Sequence, residues 1–409
     1  MGSIGPITEV ARSEPDMRFK HLIQLPVELW EKVIDCVADD WMGAYRDNEV
    51  YEARLLTLGR VCRGWYSRCR FRAQERLDVR DTDKSQVYRL IKVLNKHPER
   101  CRPIKAVSFD WWNESVAVFG TFAICMAQKL PRVELLRFEN GVWVVGQLHT
   151  QIFLHVTLAF GSVTILDFFS VKFPSAVVFG RLVRALPRLA SLYCHQVHFE
   201  KRCDVASTVW VRHPLRLDTV DLHNSNDVID FLASSDAHVR HLSSRNDALE
   251  KCSKLLPVVA ESLLSLRIAL ERYFGSPTDA RPSDFQIDLT PAVRLQALSF
   301  NLRLEDMIRA ANILSRASLP KLIEVKFNSL LYDAKSPLVQ DALDNVDNNC
   351  YALMDQALSG RRYPALQSAV FHLHFCVRRS SVKEVMPKDS WESQLSSRFP
   401  SLHASGRLV

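Results

Sequence analysis

Two short stretches carry the residue types that ligate metals or move protons. Residues 194–198 read CHQVH, and residues 371–376 read FHLHFC. In the second, His372, His374 and Cys376 alternate with Phe371, Leu373 and Phe375, so an extended chain would turn the three donors to one face. Zinc takes about four ligands in tetrahedral array, and neither stretch supplies them alone. No metal site and no cofactor is therefore assigned. The segment RVCRGWYSRCRFRAQERLDVR carries Arg60, Arg63, Arg68, Arg70, Arg72, Arg76 and Arg80, a charge density that would clamp phosphates without reading bases. Glu75 and Asp78 interrupt it, so a solvated helix face is the simpler reading and nucleic acid is not expected as a partner. The phosphate-cradling GxxxxGK[ST] and GxGxxG patterns, and the GxSxG and HExxH patterns of hydrolases, do not occur. No catalytic residue is assigned, and the chain reads as a non-enzyme.

The bulk properties agree with an ordinary folded chain. Of 409 residues, 47% are hydrophobic and 24% charged, and the formal net charge is +7, too mild to argue for nucleic acid by itself. Ten cysteines are scattered singly with no CxxC pair. This is the usage of a reducing compartment, so cytoplasm and/or nucleus is expected. The opening MGSIGP places Pro6 where a myristoylation signal needs Ser or Thr. The longest apolar run, VAVFGTFAICMA at 116–127, is too short to span a bilayer, and no membrane association is expected.

Residues 1–20 are polar and weakly patterned and read as a disordered lead-in. Residues 21–80 read as helices. Residues 81–409 follow a different rhythm, beginning with an amphipathic helix at 82–97 that lines up Val87, Leu90, Ile91 and Leu94. Apolar positions i, i+3 and i+5 then recur in units starting at Ile104, Val133, Val163, Leu189, Leu217, Val239, Leu263, Leu295, Leu322 and Leu366. The spacing is roughly 22 to 32 residues, with one longer gap before the last unit. Positions i+2 and i+4 are mostly polar, the exceptions being Leu135, Ile165 and Val370, as expected of short strands buried on one face. Helical stretches lie between the strands at 175–186, 226–235, 304–317 and 339–358. The predicted fold is α/β: an irregular leucine-rich-type solenoid with parallel inner strands and outer helices. An ordinary α/β domain with incidental periodicity is the alternative.

In this register His195 and His223 take the same i+6 place in adjacent units. Together with Asp167, Tyr193, Asp221 and His241 they form a candidate recognition patch on the inner face. Solvated side chains without a ligand would look the same at this level.

The helix beginning at Pro26 carries two apolar stripes: Leu29, Val33 and Val37 on one, Trp30 and Ile34 on the other. A region of some 55 residues has a small core and cannot cover both. The surplus either packs on the end of the strand array or meets another protein. LPVELWEKVIDCV followed by LLTLGRVCRGWYSR resembles the F-box motif, here over about residues 22–70. The resemblance implies a three-helix unit that docks the Skp-family adaptor of a Skp–cullin–F-box ubiquitin ligase through Leu25, Pro26, Leu29, Val33, Leu58, Val61 and Trp65. It further implies that the downstream array binds the client protein and that catalysis occurs on partner subunits. The link ADDWMGAYRDNEVYEAR is longer than the usual connection of that family, which leaves the place of Trp41 and Tyr45 open. A non-degradative interaction scaffold and an intracellular enzyme with its site in the repeat cavity are the competing readings.

Overall fold

The computed structural model of the chain describes residues 26–44, 48–80, 83–111, 116–144, 146, 151–201, 214–245, 249–270, 287–331, 343–344, 346–375 and 388–409. Two compact units are present, Met1–Gln74 and Glu75–Val409.

Among the described residues the first unit holds three helices: α1 (Val27–Ala44), α2 (Asn48–Gly59) and α3 (Arg63–Ala73). Pro26 opens α1, its carbonyl accepting the N–H groups of Leu29 and Trp30, since a residue without its own N–H suits a helix start. Ile34, Ala38, Tyr51, Leu55 and Cys69 form the core, with Trp41, Leu58, Trp65 and Ala73 packed against it. The long link is thus largely helical: it extends α1 to bring Trp41 inward and supplies the buried Tyr51 of α2. Tyr45 lies outside the described residues. A Cβ on Gly59 would stand 3.3 Å from both the Tyr66 backbone and Cys69, so glycine lets the end of α2 lie close on α3. Part of the arginine run has partners. The Arg68 Nε donates to Asp35 Oδ1 at 2.8 Å, and Arg72, 3% exposed, pairs with Asp39. These pairs tie α3 to α1.

The second unit alternates strands with helices: β1 (Arg76–Arg80), α4 (Lys84–Lys96), β2 (Ala106–Asp110), α5 (Ala117–Cys125), β3 (Leu135–Glu139), α6 (Ile152–Phe160), β4 (Ile165–Phe169), β5 (Lys172–Ser175), α7 (Ala176–Arg184), β6 (Ser191–His195) and β7 (His198–Lys201). It continues through β8 (Arg216–His223), α8 (Asn226–Ser234), β9 (His238–Arg245), α9 (Leu249–Val259), β10 (Ser265–Ala269), β11 (Ala297–Leu302), α10 (Met307–Arg316), β12 (Glu324–Leu331), α11 (Asn348–Ser359), β13 (Ser368–Phe375), α12 (Lys388–Arg398) and α13 (Pro400–Ala404). Eleven strands make one parallel sheet in the order β1-β2-β3-β4-β6-β8-β9-β10-β11-β12-β13, while β5 and β7 pair separately. The protein is therefore mixed α/β with a large parallel sheet.

The sheet register aligns the ten apolar triplets. Their middle positions run Val107, Leu136, Leu166, Leu192, Val220, Leu242, Leu266, Leu298, Val325 and Ala369 along one row. Two residues on, Phe109, Phe138 and Phe168 stack with centroids 5.7 and 5.4 Å apart, and Phe300, Phe327 and Phe371 stack at 5.6 and 4.6 Å. The helices close over this face; Phe119 and Phe122 of α5 meet Phe109 edge-on. Beyond β13, the Ala369 N–H donates to the Arg407 carbonyl and the Val409 N–H to the Ala369 carbonyl, so the C-terminal residues cover an edge that would otherwise be open.

Several elements differ from expectation. Residues 76–80, read as the end of the helical region, form strand β1, whose Leu77 and Val79 join the apolar rows. Its i position is Gln74, which hides the strand from the apolar period. The small β5–β7 sheet was not foreseen. The helix expected at 339–358 begins its regular run at Asn348, where Asp347 accepts the Asn349 N–H; residues 339–342 lie outside the described residues.

One repeated detail is invisible in composition. The residue just after the strand adopts left-handed backbone at Asn140 (φ 52), Ser170 (φ 54), Gln196 (φ 55) and Asn224 (φ 52). The first three donate their N–H to the last strand residue of the next unit: Phe169, His195 and His223. Asn tolerates this region, whereas Gln and Ser do not gain from it. Gln196 is exposed, so Gln196→Asn is expected to stabilise the chain by roughly 0.5 kcal/mol, read as a raised denaturation midpoint with an unchanged slope.

Candidate interaction sites

Helix α1 resolves its two stripes into one buried and one open. Ile34 and Ala38 are buried and Trp30, Val37 and Trp41 partly so, which leaves the stripe at i, i+4 and i+7 (Leu29, Val33 and Cys36) exposed. Leu29 and Val33 are each 44% exposed and Val61, between α2 and α3, is 64% exposed. Pro26 is also exposed. Leu58 and Trp65 are half-buried against the core of the unit, with the Trp65 ring 4.9 Å from that of Trp30. Of the seven residues expected at an adaptor contact, four therefore lie open, two help hold the three helices together, and Leu25 falls outside the described residues. Val37 turns inward, because residues 30, 34, 37, 38 and 41 share a face that the 3.6-residue period separates from 29, 33 and 36.

The polar side of the large sheet is built by the same register that aligns the core. One row runs Asp78, Ser108, Arg137, Asp167, Tyr193, Asp221, Ser243, Arg267, Ser299, Lys326 and Val370. The next runs Arg80, Asp110, Glu139, Phe169, His195 and His223. Five of the six residues of the recognition patch thus fall on β4, β6 and β8 in adjoining rows. His241 lies on β9 on the same face, pairing with Thr219 and Ser265 in the row on the other side of Asp221. The sequence reading missed Arg137, Glu139 and Arg267. Their offsets from each triplet, four and six residues, are the signal that would have found them.

The face is less open at its start than a solvated surface. Ser108, Asp110, Arg137, Glu139 and Asp167 are each less than a tenth exposed. Burial of so many charges requires pairing, and it is present. The Arg137 Nε donates to Asp167 Oδ2 at 2.9 Å and stands 3.8 Å from Glu139, while the Asn140 amide donates to Asp110 at 3.0 Å. The rings of His195 and His223 meet Nδ1 to Nδ1 at 3.0 Å, so one ring donates a proton and the other accepts. Burial pushes the Glu139 carboxyl above the usual range, opposed by Arg137 and reinforced by Asp110. Asp221 is raised by burial, against the pull of its Ser243 hydrogen bond, Arg245 and Arg267. The Tyr193 phenol is raised by burial, with Asp221 and Asp167 adding to it.

His372 and His374 are both exposed on β13, with ring centroids 6.1 Å apart; Cys376 lies outside the described residues. Among the described residues no group of three or more His, Cys, Asp and Glu side chains is placed to hold a metal ion, and no helix is long and apolar enough to cross a membrane. No protein-family model matches the chain, and no curated protein matches it.

The raised Glu139 carboxyl has a definite consequence for stability. From the ordinary Glu pKa of about 4.3 up to its folded value, the folded chain holds a proton that the unfolded chain has released. Stability contributed by this group therefore falls as pH rises through that window. Glu139→Gln is expected to flatten the decline, so that melting temperatures measured at about pH 4 and about pH 7 differ less than in the parent chain.

Proposed function

We propose that the chain is a substrate-recognition subunit of a Skp–cullin–F-box ubiquitin ligase. The three-helix unit would dock the Skp-family adaptor, and the second unit, read as a leucine-rich-repeat-like array, would bind the client. The observation that carries this reading is the open Leu29–Val33 stripe on a helix whose opposite stripe already fills the core of the unit. An exposed apolar helix stripe is the kind of surface that a partner helix or groove recognises, and Val61 is a further exposed aliphatic of the same unit. In this reading the protein performs no bond chemistry. It holds the client near the ubiquitin donor, so that transfer on partner subunits proceeds at raised effective concentration, and it works in the cytoplasm and/or nucleus.

Because Leu29 and Val33 are not core residues, they can be changed without opening the three-helix packing. The double variant Leu29→Asp/Val33→Asp is expected to keep its helical content and melting temperature while losing about 2 kcal/mol or more of adaptor affinity, roughly thirtyfold in Kd. Calorimetric titration with a purified Skp-family adaptor reads this directly. Unchanged affinity would remove the docking assignment. Adaptor binding without ubiquitin-carrying clients, in a capture under proteasome inhibition, would favour a non-degradative scaffold.

A further inference from the structure

In the helix layer of the second unit, α5 packs between α4 and α6, and the outward residues of these three helices are unusual. α4 reads KSQVYRLIKVLNK, with four cations and no acid. Arg89, Lys92 and Lys96, spaced i, i+3 and i+7, form a stripe that the helix period sets opposite the buried Val87, Ile91 and Leu94. α5 (AVFGTFAIC) and α6 (IFLHVTLAF) contain no Asp, Glu, Lys or Arg, whereas α7, α8, α9 and α10 all do. What α5 and α6 turn outward is apolar: Ile124 is 47% exposed, Leu154 62% and Leu158 39%.

Hydrogen bonds join these residues into one surface. The Lys129 ammonium, just past α5, donates to Asn95 Oδ1 of α4 at 2.7 Å and to the Cys125 carbonyl at 2.8 Å. The Gln128 N–H donates to the Leu158 carbonyl of α6 at 2.9 Å. The exposed Tyr88 and Lys92 share the Asn95 side of α4, at i, i+4 and i+7, so they stand between the cationic stripe and the aliphatics. The positive charge is not cancelled locally. Asp83 caps α4, accepting from the Gln86 N–H and the Ser85 hydroxyl, with Arg89 acting on it. Glu99 meets His97 at 3.1 Å. Lys92, Lys96 and Lys129 meet no carboxylate among the described residues.

Surplus cations beside uncharged aliphatics call for an occupant that is both anionic and apolar. Three helices at roughly 8–10 Å between axes span about 20 Å, about twice the width of a single partner helix. A bilayer of anionic lipid covers that breadth, with headgroups for a basic amphipathic helix and hydrocarbon for the aliphatics. An amphipathic ring such as that of Tyr88 suits the depth between them. We propose that the α4–α6 face attaches the second unit to an anionic lipid surface. Arg89, Lys92, Lys96 and Lys129 lie among the headgroups, and Ile124, Leu154 and Leu158 dip to the acyl boundary. The attachment is peripheral, whereas the expectation of no membrane association drew on spanning length alone. It holds whatever client the second unit binds.

The test is co-sedimentation of the full chain with vesicles of phosphatidylcholine, alone or with about 30% phosphatidylserine, at two salt concentrations. Binding is expected to be about a hundredfold tighter to the anionic vesicles and to weaken as salt rises. Lys92→Gln/Lys96→Gln replaces exposed residues with another good helix former and should cost about tenfold or more. Lys254→Gln/Lys321→Gln lowers the net charge equally at exposed positions elsewhere in the unit and should cost little. Leu154→Gln should weaken binding about fivefold without changing its salt dependence. Circular dichroism checks that each variant keeps the parent's helical content. No binding, equal binding to both vesicles, equal losses for the two lysine pairs, or a Leu154→Gln variant that binds like the parent would overturn the proposal. Capture of an acidic amphipathic Glu/Leu peptide in place of vesicles would overturn it too, assigning the face to a protein partner.

Discussion

The second unit depends on one constraint: a five-residue strand with apolar side chains on one side cannot bury them or satisfy its backbone alone. Stacking the strands in parallel and in register answers both needs at once, because each strand edge meets the next and each triplet lies against its neighbour. The row through Phe109, Phe138 and Phe168 follows from it. Rings repeated at strand spacing have little choice but to stack, and their centroid distances of 5.4 to 5.7 Å sit near that repeat. Where the row loses its bulk, the helix layer compensates. Ser244 stands in the apolar row at 1% exposure, and the Cys252 thiol of α9 donates to its hydroxyl at 2.9 Å, so a polar atom enters the core without losing a partner.

The same register places every polar residue of the opposite face in a row, wanted or not. Like charges on neighbouring strands would stand about 5 Å apart and repel. The face avoids most of this by alternation: Arg137 lies between Ser108 and Asp167 in one row and beside Glu139 on its own strand. Compensation is incomplete at Glu139 and Asp221, and there burial raises the carboxyls. The rows of the charged face thus follow from the core's register.

How much of this was legible beforehand follows the same physics. A period that repeats in ten units survives local noise, so the strands, their shared face and the parallel layer could be read from apolar spacing alone. Features that depend on one residue could not. Strand β1 is hidden by Gln74 at its first apolar position. The β5–β7 sheet is four residues long on each side, too short to show a period. The left-handed residues after the strands include Ser170 and Gln196, which carry no signature of that backbone. The recognition patch was half legible: the i+6 offset placed His195 beside His223, but nothing in the sequence says that Asp167 is buried beside its partner Arg137.

The first unit poses the opposite problem, and its size decides the outcome. Among the described residues, three helices share a core of five buried side chains and leave Leu29, Val33 and Val61 exposed, as a small core does. Single exposed aliphatics are commonplace, but Leu29, Val33 and Cys36 follow the helix period and so form a continuous stripe. Leaving about half of a Leu and a Val in water forgoes about 1 kcal/mol each, a noticeable sum for a unit this small. Nothing in the packing of α1 requires the loss, since Ile34, Ala38 and Trp41 already anchor the helix from its other side. An open stripe that the described packing of α1 does not use is the observation on which the proposed docking rests, which is why the proposal places it on α1 and not on the charged sheet.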